Sequence, residues 1–424
     1  MKSFGRIIFI QNGMKDGKGH WIHEILGLRG AVRSSGMECV ILAHSDCDRA
    51  LVAEHDVIPA IPFLPLQTAV SAPGMGRLSS FVEFPQAFAS SLSEHLPADI
   101  SHRDLLHVCF SSEVELFGTA RWLREQSPER RPSVSFSFQD LPHEWRVNPE
   151  TLQIEGNFAF WKHAVWSLRQ CLDEERIRVF GSCPALALML EKLLGMPCGV
   201  LPSATQFRRE YAAASPEKRY DVATIGGNRS DQGVLQWAEI LSALRAMRPG
   251  VTVSFQMMRP HQREAMIRRF GKLYDPSQVE IAVGTQDTRE YYARMQASRL
   301  LLLCYAPERY CFRDSGVFVE ANCLGIPTVA HARTSMGRRI MAGMAAGSVY
   351  GSGDPREMAS VIHRSLEQIE ELDRKGASQR EAWIKAYSPE TSLGMILGSF
   401  GAEKIPGPRP EQGASAATAG TLPG

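Results

Sequence analysis

The 424-residue sequence lacks the features that mark several large classes of protein. No uninterrupted apolar run comes near the ~18 residues that span a bilayer, so a transmembrane segment is not expected. The formal net charge is only +1. Because so small a charge creates no overall field that attracts polyanions, nucleic acid is not an expected partner. Peripheral contact with a membrane stays open.

The cysteine and histidine patterns predict neither a cysteine framework, whether disulfide or zinc, nor a catalytic metal site. The nine cysteines include no C-x-x-C pair. An odd number of cysteines without pairing spacing is typical of reduced, buried thiols in a cytoplasmic protein, and it indicates neither a disulfide framework nor a structural zinc site. No histidine lies in an H-E-x-x-H pattern, so a catalytic metal is not predicted.

What is present is an ordinary globular composition, with 44% hydrophobic and 22% charged residues. A chain of this length favours two domains of roughly 150 to 200 residues each. Residues 6–43 read as strand, glycine-rich loop, helix and strand, which is the unit that builds parallel sheets. The alternation continues to residue 201 and resumes at Tyr220 after a hinge-like segment. The pattern predicts two α/β sheets in tandem.

One glycine-rich loop follows the first strand of each predicted sheet. The first runs from Gly13 to Gly19 and His20, and it fits neither the dinucleotide-binding pattern nor a P-loop. A flexible loop with a surface histidine is the alternative interpretation. The second contains Gly226, Gly227 and Arg229 before a predicted helix. A guanidinium there is placed for bidentate phosphate contacts, although it could instead pair with Asp231 at the surface.

A third motif, between Tyr310 and Ala330, predicts an anion site. Ser315-Gly316 stands at a predicted helix start, and Glu320 lies one turn into that helix. Because the first N–H groups of a helix have no partners within it, a helix start attracts anions. A carboxylate just inside the helix can hold a sugar hydroxyl. Together these are the contacts that a nucleoside diphosphate needs.

Taken together, these motifs resemble the nucleotide-sugar half of GT-B retaining glycosyltransferases of the glycogen-synthase-like and sucrose-synthase-like superfamily, the group 1 glycosyltransferases. Glu290-Tyr-Tyr, Tyr-Ala-Pro-Glu-Arg-Tyr310 and Gly325-Ile-Pro-Thr-Val329 contribute to the likeness. The resemblance covers most of residues 219–400 and is weaker over the first 200 residues. It implies an α/β protein of GT-B fold, in which two Rossmann-like parallel-sheet domains face each other across a cleft.

The resemblance also implies a division of the chain. Residues 1–205 would form an N-terminal acceptor-binding domain, and residues 219–377 a C-terminal nucleotide-sugar-binding domain. Residues 378–400 would form helices that cross back to the first domain. Residues 405–424, which are mostly small residues and proline, are expected to be disordered.

Several residue roles follow from the same resemblance. Glu320 would hold the ribose of a nucleotide diphosphate sugar, and the amides around Gly316 and Val317 would hold its phosphates. Arg229 would neutralise the departing diphosphate. The family usually adds a lysine a few residues after this arginine, but Gln232 occupies the corresponding place and stabilises a leaving dianion less. Arg313 is expected to compensate.

A second departure concerns the sugar. Family members carry an acid about two helical turns ahead of the ribose-binding glutamate, where this chain has Phe312 or Arg313. We interpret the chain as the variant with a Tyr-x-x-Arg-x-Ser-Gly pattern, formed here by Tyr310, Arg313, Ser315 and Gly316.

The first half departs from the family as well. At the end of the predicted strand 133–138, Gln139 stands where the family usually has a histidine near the anomeric carbon. Asp140 and His143 are alternative polar groups at this rim. The pair Arg338-Arg339 is interpreted as a solvated face.

The implied activity is transfer of a sugar from a nucleotide diphosphate sugar to a hydroxyl acceptor, with retention, in glycan or polysaccharide biosynthesis. The acceptor would be a glycan, a lipid-linked molecule or a small molecule, and no tightly bound cofactor is expected. Two alternatives stay open. The chain could be a nucleotide-sugar epimerase or hydrolase, or a noncatalytic nucleotide-sugar-binding subunit.

Overall fold

The structure is a computed structural model that describes residues 4–16, 20–63, 76–140, 146–148, 150–151, 153–155, 158–202, 207, 211, 217–226, 236–284 and 286–401. Its strands are β1 (Arg6–Gln11), β2 (Glu38–His44), β3 (Ile58–Ile61), β4 (Asp104–Val108), β5 (Ser133–Phe138), β6 (Arg146–Val147), β7 (Ile154–Glu155), β8 (Ile177–Gly181), β9 (Cys198–Val200), β10 (Tyr220–Thr224), β11 (Val253–Met257), β12 (Val279–Val283), β13 (Ser298–Leu303), β14 (Thr328–His331) and β15 (Gly347–Tyr350). Its helices are α1 (His20–Ser34), α2 (Arg49–His55), α3 (Gly76–His95), α4 (Glu113–Glu125), α5 (Ala159–Arg169), α6 (Pro184–Leu194), α7 (Trp237–Met247), α8 (Pro260–Phe270), α9 (Thr288–Gln296), α10 (Pro307–Tyr310), α11 (Gly316–Leu324), α12 (Ser335–Met341), α13 (Pro355–Glu367), α14 (Ile369–Ala386) and α15 (Pro389–Ser399).

The strands form two large sheets, one in each half of the chain. The first has seven strands in the order β3-β2-β1-β4-β5-β8-β9, and the second has six in the order β12-β11-β10-β13-β14-β15. The strand pairs described in both sheets are parallel. Strands β6 and β7 form a separate antiparallel pair. The prediction of two parallel α/β sheets in tandem is confirmed.

The first strand shows why these strands read as unbroken apolar runs. Successive side chains of a strand point to opposite faces, and helices cover both faces of a parallel sheet. Ile7 and Phe9 accordingly lie in the apolar cluster that contains α1 and α15. Ile8 and Ile10 lie in the cluster that contains α3 and α4. All four side chains are fully buried, so the strand has no polar face to show in its sequence.

The last described helix, α15, packs on the first sheet although it follows the second sheet in the chain. Leu393 and Ile396 are fully buried in the same apolar cluster as Ile7. The ring of Phe400 meets the ring of Phe4 edge-on at 5.5 Å between centroids. The predicted crossing segment therefore consists of the end of α14 and the whole of α15. The tail predicted to be disordered, 405–424, lies outside the described residues.

A close backbone contact seats α11, the helix of the predicted anion site, on α14. Gly325 ends α11 with a left-handed φ of +74°, a conformation that glycine adopts without steric penalty. Gly376 of α14 packs directly on it, and a Cβ atom at position 376 would overlap the Gly325 carbonyl oxygen. The two helices can approach this closely only because position 376 has no side chain.

Gly376→Ala is therefore expected to destabilise the protein by about 2 kcal/mol or more, because the obstacle is backbone and cannot rotate away. Urea unfolding would measure the loss. The matched control is Gly30→Ala, which lies exposed in α1 with open space around the added methyl group. That variant is expected to be more stable by about 0.5 to 1 kcal/mol, because alanine has the higher helix propensity. Equal stabilities of the two variants would contradict the proposed close contact.

Candidate active site

The strand order places a candidate site at the carboxyl edge of the second sheet. In an open parallel sheet, ligands bind where the strand order reverses, because the loops on either side diverge there. This reversal occurs between β10 and β13. Gly226 follows β10, and the turn that leads into α11 follows β13. The second and third sequence motifs therefore meet at one point.

Gly226 and the first turn of α11 are in contact. A Cβ atom at Gly226 would lie 3.5 Å from Cγ2 of Val317, and the φ of +98° at Gly226 favours glycine. The Gly226 N–H donates to Oε1 of Gln256 at 3.0 Å, and Nε2 of Gln256 donates to the Gly284 carbonyl oxygen at 3.2 Å. The start of the loop after β10, which contacts α11 at Val317, is thus tied to the end of β11 by a buried glutamine.

Ser315 defines where α11 begins. Its Oγ accepts the N–H of Phe318 at 3.3 Å, which is the N-cap contact, and lies 3.2 Å from the hydroxyl of Tyr305. Gly316 follows as the first helical residue and is exposed. An exposed first turn at a sheet switch point is the geometry in which helix N–H groups bind an anion.

Glu320, one turn further along α11, is held by Tyr291 of α9. The Tyr291 hydroxyl donates to Oε2 of Glu320 at 2.6 Å, and both side chains are half-buried. Burial raises the pKa of Glu320 from 4.5 to about 7, although the Tyr291 hydrogen bond acts in the opposite direction. The Tyr291 phenol thus fixes one carboxylate oxygen of Glu320, and the pKa of this carboxyl group lies near neutral pH.

The turn before α11 carries the predicted Tyr-x-x-Arg-x-Ser-Gly residues. The ring of Tyr310 stacks on the ring of Tyr305 with 4.2 Å between centroids, and the Arg313 guanidinium lies 5.5 Å from the Tyr310 ring centre. Nη1 of Arg313 donates to Oδ2 of Asp140 at 3.0 Å. Since Asp140 follows β5, this ion pair joins the carboxyl edges of the two sheets. Gln139, its neighbour, is half-buried at the same edge.

Phe312 is one of the two residues, with Arg313, that stand at the place where the resemblance expects an acid. It is 1% exposed and belongs to the apolar core of the first sheet, together with Cys311. Asp314, the nearest carboxylate in the chain, is committed elsewhere. Its Oδ2 pairs with Arg339 of α12 at 3.0 Å and accepts the Tyr387 hydroxyl at 3.3 Å.

The interpretation of Arg338-Arg339 as a solvated face is wrong. The Arg339 side chain is 12% exposed, and its guanidinium also lies over the Trp383 ring at 5.7 Å. Burial alone lowers the pKa of Arg339, but Asp314 and Tyr387 outweigh burial and raise it above its ordinary value. Arg338 donates to the carbonyl oxygens of Arg333 and Cys311. Arg339 is thus a largely buried ion-pair partner of Asp314, and Arg338 is a half-buried donor to the backbone of Cys311 and Arg333.

Some predicted site residues cannot be placed. Arg229, Gly227 and Gly19 lie outside the described residues, as does His143. His20 begins α1, and its backbone alone is described. The structure therefore brings together Gly226, Val317, Glu320 and the Tyr310–Gly316 segment at the second sheet, with Gln139 and Asp140 across from them.

Two residues of the site were not found from the sequence. Tyr291 was part of a recognised motif without a role, and nothing local connects it with a carboxylate 29 positions later. Gln256 carries a signal in the sequence, because it is a large polar residue inside a strand whose other residues are three apolar side chains and one serine. A buried polar side chain needs a partner, so such a residue marks a specific contact.

A cavity of about 610 Å³ lies elsewhere and does not belong to this site. Its lining residues are Phe4, His102, Arg103, Pro128, Glu129, Ser133 and Arg176. They stand at the amino ends of β1, β4, β5 and β8, whereas the candidate site lies at a carboxyl edge.

Among the described residues there is neither a cluster that could hold a metal ion nor a helix that could span a membrane. Within the described ranges, no group of three His, Cys, Asp or Glu side chains is arranged to hold a metal ion. Nor does any helix in those ranges have the length and apolar character needed to cross a bilayer. The expectation that the protein needs no metal stays a prediction.

The raised pKa of Glu320 predicts how stability depends on pH. Between about pH 4.5 and 7 the folded protein keeps the Glu320 proton more tightly than the unfolded chain does, so this residue's contribution to stability is lost as pH rises. Glu320→Gln keeps an acceptor for Tyr291 but does not titrate. We expect this variant to gain on the order of 2 kcal/mol relative to the parent between pH 4.5 and 8, after allowance for partial exposure.

Urea unfolding at several pH values would measure this difference. Glu290→Gln is the matched control, because Glu290 lies on the same helix as Tyr291 and its side chain is exposed. The free energy of unfolding of Glu290→Gln should differ from that of the parent by the same amount at every pH. If the free energies of unfolding of the parent and of Glu320→Gln change with pH in parallel, burial does not shift the pKa of Glu320.

Comparison with known proteins gives a result at the level of structure. No family model matches the sequence, and no curated protein matches it. HepE of Anabaena, solved in complex with UDP, has a TM-score of 0.61 at 14% identity, over 94% of this chain and 100% of that one. TarM of S. aureus has a TM-score of 0.66 at 8% identity, over 94% and 99%.

The catalytic domain of starch synthase IV from Arabidopsis thaliana, bound to ADP and acarbose, has a TM-score of 0.63 at 13% identity, over 94% of this chain and 99% of that one. At identities this low, the structural similarity establishes the fold alone. The protein has the GT-B fold, in which two Rossmann-like parallel-sheet domains face each other across a cleft.

Proposed function

We propose that this protein is a glycosyltransferase that moves a sugar from a nucleotide diphosphate sugar to a hydroxyl acceptor. One observation carries the proposal. Glu320 is fixed by Tyr291 one turn inside a helix whose exposed start lies beside Gly226, at the switch point of the second sheet. A carboxylate and a helix start at this spacing fit a ribose hydroxyl and a phosphate. UDP and ADP in the structures of HepE and starch synthase IV support the choice of ligand.

The proposed roles follow this geometry. Glu320 holds the ribose through the carboxylate that Tyr291 orients, and the amides of Gly316 and Val317 hold the diphosphate. Arg229 stabilises the charge that develops on the diphosphate as it leaves, aided by Arg313. Gln139 contacts the sugar or the acceptor from the first sheet. The diphosphate itself helps to deprotonate the acceptor, which gives retention at the anomeric carbon.

The division into domains is part of the proposal. Residues 1–205 with the crossing segment 378–400 would bind the acceptor, and residues 219–377 would bind the donor. The burial of Leu393 and Ile396 against the first sheet supports this assignment of the crossing segment. A role in polysaccharide or other glycan biosynthesis is proposed with it, and the acceptor would be a glycan, a lipid-linked molecule or a small molecule.

A cytoplasmic location is likewise proposed. All nine cysteines lie in the described ranges and are unpaired, and seven of them are buried. Buried thiols without disulfides are typical of a reducing compartment.

A noncatalytic nucleotide-sugar-binding subunit is the second candidate, because two positions depart from the family. Phe312 is buried in the first sheet's core where an acid would contact the sugar. Gln232, which lies outside the described residues, replaces a lysine. Such a subunit would bind nucleoside diphosphates and transfer nothing.

Thermal unfolding with a panel of nucleoside diphosphates and their sugars tests the binding half of the proposal. A ligand at 100 times its Kd stabilises the folded state by about 2.7 kcal/mol, which is readily detected as a rise in Tm. Glu320→Ala should abolish most of this rise, because the ribose contact is lost, whereas the exposed-site control Glu290→Ala should retain it. If no member of the panel raises the Tm of the parent, the nucleotide site is wrong.

Product analysis with the donor that binds best tests the chemistry. Transfer to an added acceptor is expected, and Arg229→Ala should lower kcat by about 100-fold or more, because a group that stabilises developing charge acts chiefly in the transition state. Conversion of the sugar without an acceptor would instead identify an epimerase or hydrolase. Binding without any product would identify the noncatalytic subunit.

A further inference from the structure

The ion pair between Asp140 and Arg313 joins the carboxyl edges of the two sheets at the candidate site. Nη1 of Arg313 lies 3.0 Å from Oδ2 of Asp140, and Nη2 of Arg309 lies 3.5 Å from the same oxygen. The three side chains are 27%, 20% and 32% exposed, in the order Arg313, Asp140 and Arg309. A ligand that enters the cleft can therefore reach this ion pair.

The backbone of Arg313 is fixed, although its side chain is partly exposed. Phe312, the preceding residue, is anchored in the apolar core of the first sheet. Oγ of Ser335 donates to the Arg313 carbonyl oxygen at 2.7 Å. The guanidinium can therefore exchange one partner for another by side-chain rotation alone, without movement of the turn.

A diphosphate is a suitable competitor for Asp140. A guanidinium presents the same fork of N–H groups to a carboxylate and to a phosphate, and the phosphate carries more negative charge. A partly exposed ion pair is weak, so its loss opposes ligand binding only modestly. Arg313 stands two residues ahead of Ser315, the cap of the helix whose exposed start fits a phosphate.

We propose that Asp140 is a positioning residue for the donor site, which keeps Arg313 paired with the first sheet until a nucleoside diphosphate takes this arginine over. The inference rests on the proposed function and adds a coupling to it. Donor binding at the second sheet breaks an ion pair that links the two sheets, and it leaves the Asp140 carboxylate at the acceptor side of the cleft.

Isothermal titration with UDP and ADP tests this coupling in the full-length protein. Asp140→Asn removes the competing charge and keeps the shape of the side chain, so it is expected to bind the nucleotide roughly 3- to 5-fold more tightly, the upper part of the range expected for loss of a partly exposed ion pair. Arg313→Gln should bind more weakly than the parent. In the double variant the gain from Asp140→Asn should disappear, because the arginine that it liberates is absent.

Glu308→Gln is the matched control. Glu308 is an exposed carboxylate on α10, next to Arg309, and its loss changes the local charge by the same amount. Its effect on affinity should stay below about twofold, since charge at an exposed position is screened. Near-ultraviolet circular dichroism would establish that each variant is folded.

The outcomes separate the two proposals. Nucleotide binding that Asp140→Asn leaves unchanged or weakens would overturn the inference and leave the proposed function intact. A gain that persists in the Arg313→Gln background, or that Glu308→Gln reproduces, would show a general electrostatic effect and would also overturn it. If neither the parent nor Asp140→Asn binds any nucleoside diphosphate, the proposed function itself is wrong, and the inference fails with it.

Discussion

The buried ion pair between Asp314 and Arg339 fixes the turn on which the candidate site depends. Both side chains are about one-tenth exposed, and their ion pair is completed by the Tyr387 hydroxyl. Removal of either charge would leave the other buried without compensation, which is strongly unfavourable. Because Arg339 belongs to α12 and Tyr387 follows α14, three segments of the chain converge on this carboxylate. The position of Ser315, and with it the start of α11, follows from that convergence.

The same turn is anchored on its other side by the first domain. Phe312 is inserted in the core of the first sheet, and Arg313 pairs with Asp140 at the edge of that sheet. Of four consecutive side chains, those of Cys311, Phe312 and Arg313 thus contact the first half of the molecule, and that of Asp314 contacts the second. The start of α11 and one connection between the two sheets therefore both depend on this short segment.

Much of the fold could be predicted because its strands are long and apolar. β1 and β13 are covered by helices on both faces, so their sequences show unbroken apolar runs, whereas β5 alternates serine with valine or phenylalanine. β3 and β15 were missed, because each has four residues and includes proline or glycine. Such segments form strands only when a neighbouring strand supplies hydrogen-bond partners. Local preference does not contain that information.

The sequence by itself determined the two parallel sheets, the position of the predicted anion site at the start of α11 and the candidacy of Glu320, since all three depend on periodicity or on short spacing along the chain. Only the tertiary structure decided which side chains form hydrogen bonds and ion pairs with one another. Tyr291 reaches Glu320 across 29 positions, Asp140 reaches Arg313 across 173, and Arg339 is buried against Asp314 although its neighbourhood in the chain suggests a solvated face. The physical reason is that ion pairs and hydrogen bonds depend on distances in space. Those distances are fixed by how the sheets and helices pack, and residues far apart in the chain leave no local trace of them.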